Sequence, residues 1–80
     1  MNNTYTVRPG LTDEWIVWTP AGNAARHPNG DVMRYGTPAR ATAVAEWLTV
    51  GGDALSRSRR VRLRAEIAAR HGLDGRGGLV

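Results

Sequence analysis

Eighty residues without a cysteine make one small domain, which buries only about 60% of the surface its unfolded chain would expose and has no disulfide or thiolate metal site to support it. Eleven basic residues, all arginine, outweigh seven acidic ones for a formal net charge of +4. That balance favours an anionic partner, and two histidines, His27 and His71, are too few for a histidine-only zinc cage, so no metal or cofactor is expected.

No apolar run reaches the length of a membrane span, and the start, MNNTYTVRPG, lacks the basic and apolar regions of a signal peptide. The expectation is a cytoplasmic protein, prokaryotic or within a phage-infected host, with no membrane partner. Residues 4–8, TYTVR, place Tyr5 and Val7 on one face of a first strand, which Pro9-Gly10 ends. Residues 14–19, EWIVWT, place Trp15 and Val17 on one face and Ile16 and Trp18 on the other. A strand apolar on both faces lies within a sheet, and its second face needs cover from another element or a partner. Trp15, Ile16 and Trp18 are therefore candidate interface residues for a homodimer or a second protein.

Pro20-Ala21-Gly22-Asn23 reads as a turn, residues 24–27 as a short strand, and Pro28-Asn29-Gly30-Asp31 as the strongest hairpin signal in the chain. A last strand covers residues 31–35. Thr37 then offers a side-chain acceptor to a free backbone N–H, and Pro38 suits the first turn of a helix, where no donor is needed. The helix is predicted over residues 38–50, with Ala41, Val44, Ala45, Trp47 and Leu48 on the packed side and Ala39, Thr42, Glu46 and Thr49 opposite. Gly51-Gly52 ends it, and Asp53 is available to cap a second helix.

That second helix is predicted from residue 53 or 56 to residue 71, with Gly72 as its stop and residues 74–80, DGRGGLV, as a frayed tail. It lacks a clean apolar face: Val61, Ala65 and Ala68 make one stripe, and Leu63 and Ile67 another on nearly the opposite side. Glu66 lies four residues from both Arg62 and Arg70, in reach of pairs worth a few tenths of a kcal/mol, roughly 0.2–0.5 each. Such a helix should form fully only on docking or on binding a ligand. The fold class expected is α+β, a small antiparallel meander of three or four strands packed on one helix, followed by a second, basic helix. Residues 1–52 are the scaffold, 53–73 the arginine-rich helix and 74–80 a flexible tail, all in a single domain.

Charge separates these parts. Residues 1–52 carry four arginines and four acidic residues, whereas residues 53–80 carry seven arginines and three acidic residues, so the whole net charge belongs to the C-terminal third. Arg57, Arg59, Arg60, Arg62 and Arg64 lie within eight residues that contain no acidic group. An all-arginine chain reflects G+C-rich coding, and a block of charge is often only a solvated helix face. Arginine is also the side chain that pairs bidentately with phosphate or guanine. These five, with Arg70, are the candidate nucleic-acid contacts, and Arg8, Arg26 and Arg34 are weaker candidates on the sheet. The run resembles the arginine-rich helical peptides of phage and viral RNA-binding proteins, which implies folding in an RNA groove.

Ile67, Ala68, Gly72 and Leu73 look like the first helix and turn of a helix-turn-helix, whose recognition helix would have to occupy Asp74 onward, among Gly75, Gly77 and Gly78. Residues 5–50, with Trp15 on a central strand, Asn29-Gly30 at a hairpin, Thr37 as cap and Trp47-Leu48 on the helix, resemble the arm-site DNA-binding domain of phage tyrosine integrases. That resemblance implies a sheet laid in the major groove and a helix closing its back. The helix here is about one turn longer, and only Arg8, Arg26 and Arg34 are basic on the strands. Ser56 and Ser58 sit in the basic run with no histidine at a meaningful spacing and the carboxylates are scattered, so no enzyme is expected. The function expected is a small nucleic-acid-binding regulatory or accessory protein of a prokaryote or phage, with DNA favoured over RNA. The alternative is a protein–protein interaction module, a homodimer or a docking protein, without nucleic acid.

Overall fold

The computed structural model describes residues 3–73. The tail expected over residues 74–80, and the place a recognition helix would take, lie outside the described residues. Three antiparallel strands form one sheet in chain order: β1 (Thr6–Pro9), β2 (Trp15–Trp18) and β3 (Arg34–Tyr35). The fold is α+β, with this sheet packed on the first of two helices.

Alternation along β2 sets the two faces. Val17 is fully buried, and Val7, Trp15 and Tyr35 pack with it against the core, so Trp15 belongs to the helix-facing side. Ile16 and Trp18 point the other way. The register aligns Arg8 with Ile16 and Ile16 with Arg34, and pairs Thr6 with Trp18. Directly opposed residues share a face in an antiparallel ladder, so Arg8 and Arg34 flank Ile16 on the side away from the core.

The short strand expected over residues 24–27 forms only isolated bridges, Trp18 to Ala24 and Arg26 to Val32. Val17 accounts for this. Its N–H donates to the Met33 carbonyl at 3.2 Å while its own carbonyl accepts from the Ala25 N–H at 2.8 Å, so the two legs of the 24–33 hairpin share one short strand. Neither leg has room to build a long ladder. The hairpin tip is fixed as its sequence suggests, with the Asp31 N–H donating to Asn29 Oδ1 at 3.0 Å and Gly30 at φ +94°.

The first helix, α1 (Pro38–Thr49), is capped by Thr37, whose Oγ1 accepts from the Arg40 N–H at 3.3 Å. Ala41, Ala43, Val44, Ala45 and Trp47 are buried. Since residues turn by roughly 100° each, the adjacent Ala43, Val44 and Ala45 span roughly 200° of the helix, so α1 is covered on two sides. The sheet supplies one cover. The other is the second helix, α2 (Arg57–Arg70), which contacts α1 and the short 3-10 turn Gly52–Ala54 and reaches no strand. The order of layers is therefore sheet, α1, α2.

α2 has the docking side that its sequence conceals. Ile67 is fully buried, Leu63 packs on the core, and Arg60, Arg64 and His71 are half-buried beside them. These positions follow the spacing of a single helix face, so the stripe of Leu63 and Ile67 is the packed one, joined at its edge by Ala68, which is buried as well. Val61, in the other stripe, is 64% exposed. Ser56 stands at the N-cap without a side-chain capping bond.

Candidate nucleic-acid interface

Each arginine of the basic run meets a different environment, decided by its angle around α2. Arg57, Arg59 and Arg62 are exposed, and none has an ion-pair partner among the described residues. Arg60 is half-buried and likewise has no carboxylate partner among the described residues. Arg64 is turned toward α1, its guanidinium carbon 5.3 Å from the centre of the Trp47 ring and its Nε buried without a hydrogen-bond partner among the described residues. Arg70 is exposed but neutralised, Nη1 lying 2.6 Å from Glu46 Oε1.

Glu46 is the electrostatic joint between the helices. Its other oxygen, Oε2, lies 2.7 Å from His71 Nε2, so one carboxylate of α1 holds the last turn of α2 through two side chains. The intrahelical pairs expected of Glu66 with Arg62 and Arg70 do not form; Arg70 turns to Glu46 instead. Asp53, expected to cap α2, accepts from Trp47 Nε1 at 3.1 Å. The polar edge of the buried indole is satisfied this way, while α2 begins only at Arg57, too far along the chain for Asp53 to be its cap.

On the sheet, the three weaker candidates share the face turned away from α1. Arg8 is exposed and stacks on Trp18, with its guanidinium carbon 4.7 Å from the ring centre. Arg34 is exposed at the far side of Ile16, with a loose contact of 3.9 Å to Glu14. Arg26 Nη1 donates to the Gly30 carbonyl at 2.7 Å, so its guanidinium is held at the hairpin tip although the residue is exposed. Of the proposed partner-interface residues, Ile16 and Trp18 lie on this face, half-buried, and Trp15 does not. Spacing alone could not join Arg8 to Arg34, because the join depends on the register with β3.

Tyr35 lies at the sheet edge, its hydroxyl buried without a hydrogen-bond partner among the described residues. Burial pushes the Tyr35 hydroxyl above its ordinary value of 10.0, against the opposing pull of the nearby Arg40 charge. No protein-family model matches the chain, nor does any curated protein or solved structure.

Proposed function

We propose that this chain is a small nucleic-acid-binding protein, a regulatory or accessory factor of a prokaryote or phage, that uses α2 on the phosphates of duplex DNA. The observation that carries this reading is the state of Arg57, Arg59 and Arg62, exposed on a docked helix with no carboxylate partner among the described residues. Charges held in this way repel one another in the free protein and gain most from an anionic ligand. Arg60 is a fourth contact at the edge of the docked side. Arg64 and Arg70 act through the fold instead, as a cover for Trp47 and a tie to Glu46.

The test is a titration of the wild type and an Arg57→Ala/Arg59→Ala/Arg62→Ala variant against duplex DNA, single-stranded DNA and structured RNA. Tighter wild-type binding to duplex DNA, lost in the variant, is the expected result. Preference for structured RNA would transfer the same helix to an RNA groove. Equal wild-type and variant affinity for all three would end the proposal.

A second reading, a homodimer through Ile16 and Trp18, is favoured by one observation: α2 leaves that sheet face uncovered. A two-fold dimer on this face, however, opposes its own arginines. Sedimentation at micromolar concentration distinguishes the two, an 8.7 kDa species excluding the dimer.

A further inference from the structure

The face of the sheet turned away from α1 holds a second set of arginines, and among the described residues no helix packs on it. Arg8, Arg26 and Arg34 are exposed there, around the half-buried Ile16 and Trp18, and neither α1 nor α2 lies over them. Arg8 and Arg34 are separated by one intervening strand, a spacing of about 10 Å between their backbones. Among the described residues the one carboxylate in contact with these arginines is Glu14, at 3.9 Å from Arg34, so the face keeps a net positive charge. Arg8 lies over the half-buried Trp18 ring, which places its guanidinium on this face.

The layer order puts this face and the free face of α2 on opposite sides. α1 stands between them, buried toward both, and each layer adds about 10 Å. Arg62 lies on the side of α2 away from α1, and Arg8 and Arg34 lie on the side of the sheet away from α1. A straight duplex resting on one set therefore does not reach the other.

We infer that the open sheet face is a second nucleic-acid contact and that one copy of the chain bridges two separate segments. The inference rests on the proposed function, since the first segment is the one held by α2. Charge selects the occupant. A second copy would set arginine against arginine, whereas a phosphodiester chain neutralises the face and fits the same side-chain chemistry that α2 offers.

The experiment immobilises one duplex, saturates it with protein, washes, and measures capture of a second, labelled duplex. Wild type is expected to capture it. An Arg8→Ala/Arg26→Ala/Arg34→Ala variant should still bind the immobilised duplex but lose capture by at least about tenfold, consistent with three lost phosphate contacts. Because Arg8 also covers Trp18, the Arg26→Gln/Arg34→Gln variant leaves that stack intact and should show a smaller loss in the same direction. Sedimentation of the same samples must show a monomer, since a dimer could bridge through its two α2 helices. Binding of the first duplex without capture of the second would overturn the inference and leave the proposed function standing, as would capture unchanged by the sheet substitutions or capture that appears only with a dimer. Failure to bind the first duplex would instead remove the proposed function, and the inference with it.

Discussion

Trp47 is held by three unlike contacts: Asp53 accepts from its indole N–H, Arg64 covers its ring, and Gly52 lies against its face. Truncating a buried tryptophan costs about 3–5 kcal/mol, a large share of the stability of a domain this small. Trp47→Ala is therefore expected to unfold the protein, as read by circular dichroism and thermal melting. Unchanged melting would remove α1 from the core. A Cβ at Gly52 would strike the same ring, so Gly52→Ala should lower the melting temperature as well, and a neutral result would mean the ring has room to move.

Tyr35 gives a pH dependence at the same scale. Its hydroxyl is buried without a hydrogen-bond partner among the described residues, and burial raises its pKa above 10.0. The folded state then holds its proton to higher pH than the unfolded state does. The corresponding stability is fully present below the unfolded value and is lost as pH rises through the raised folded value. Denaturant midpoints measured from about pH 8 to about pH 11 should fall less steeply in Tyr35→Phe than in wild type. Parallel curves would mean the hydroxyl titrates as it does in the unfolded chain.

At the scale of elements, α2 is anchored at one end. Its fully buried residue, Ile67, and its ties to Glu46 through Arg70 and His71 all lie in the C-terminal half, whereas Arg57, Arg59 and Arg62 lie toward the start. Hydrogen exchange should find the last turns of α2 protected and the first turns fast, and ligand should slow the first turns most. Uniform protection without ligand would show that docking alone orders the whole helix. Ile67→Ala should release α2 at a cost of about 2–5 kcal/mol to its docking while the sheet and α1 remain folded. Global unfolding in that variant would mean the third layer is part of the core that holds the other two.

Much of this is legible in the chain. Thr37-Pro38, the stripe ending in Trp47 and Leu48, and the Gly51-Gly52 stop locate α1 to within a residue, because capping and periodicity are local. The α+β class comes from the same signals. The docked face of α2 is hidden by its composition: two stripes of similar apolarity compete, and α1 selects Leu63 and Ile67 through Glu46 and Trp47, which are distant in sequence. For the same reason Arg64 and Arg70 look equivalent to their neighbours in the sequence. The shared use of Val17 by both legs of the 24–33 hairpin is likewise a tertiary fact that no turn signal contains.

On the whole molecule, the three layers separate a scaffold of zero formal net charge from an outer helix that carries the net charge of the chain. Binding dominated by phosphate neutralisation should be salt-dependent and largely indifferent to sequence, because such contacts position a protein without reading bases. With Arg57, Arg59 and Arg62 as contacts, and Arg60 as a fourth, the slope of log K against log salt on duplex DNA should be about −3 to −4. Arg64 and Arg70, being engaged within the fold, should add little. The most direct measurement is this slope for wild type, for single Arg→Ala variants at 57, 59 and 62, and for Arg70→Ala. The account predicts that each of the first three flattens the slope by about one unit and that Arg70→Ala leaves it unchanged. A wild-type slope near zero, or slopes that none of the three substitutions alters, would contradict it.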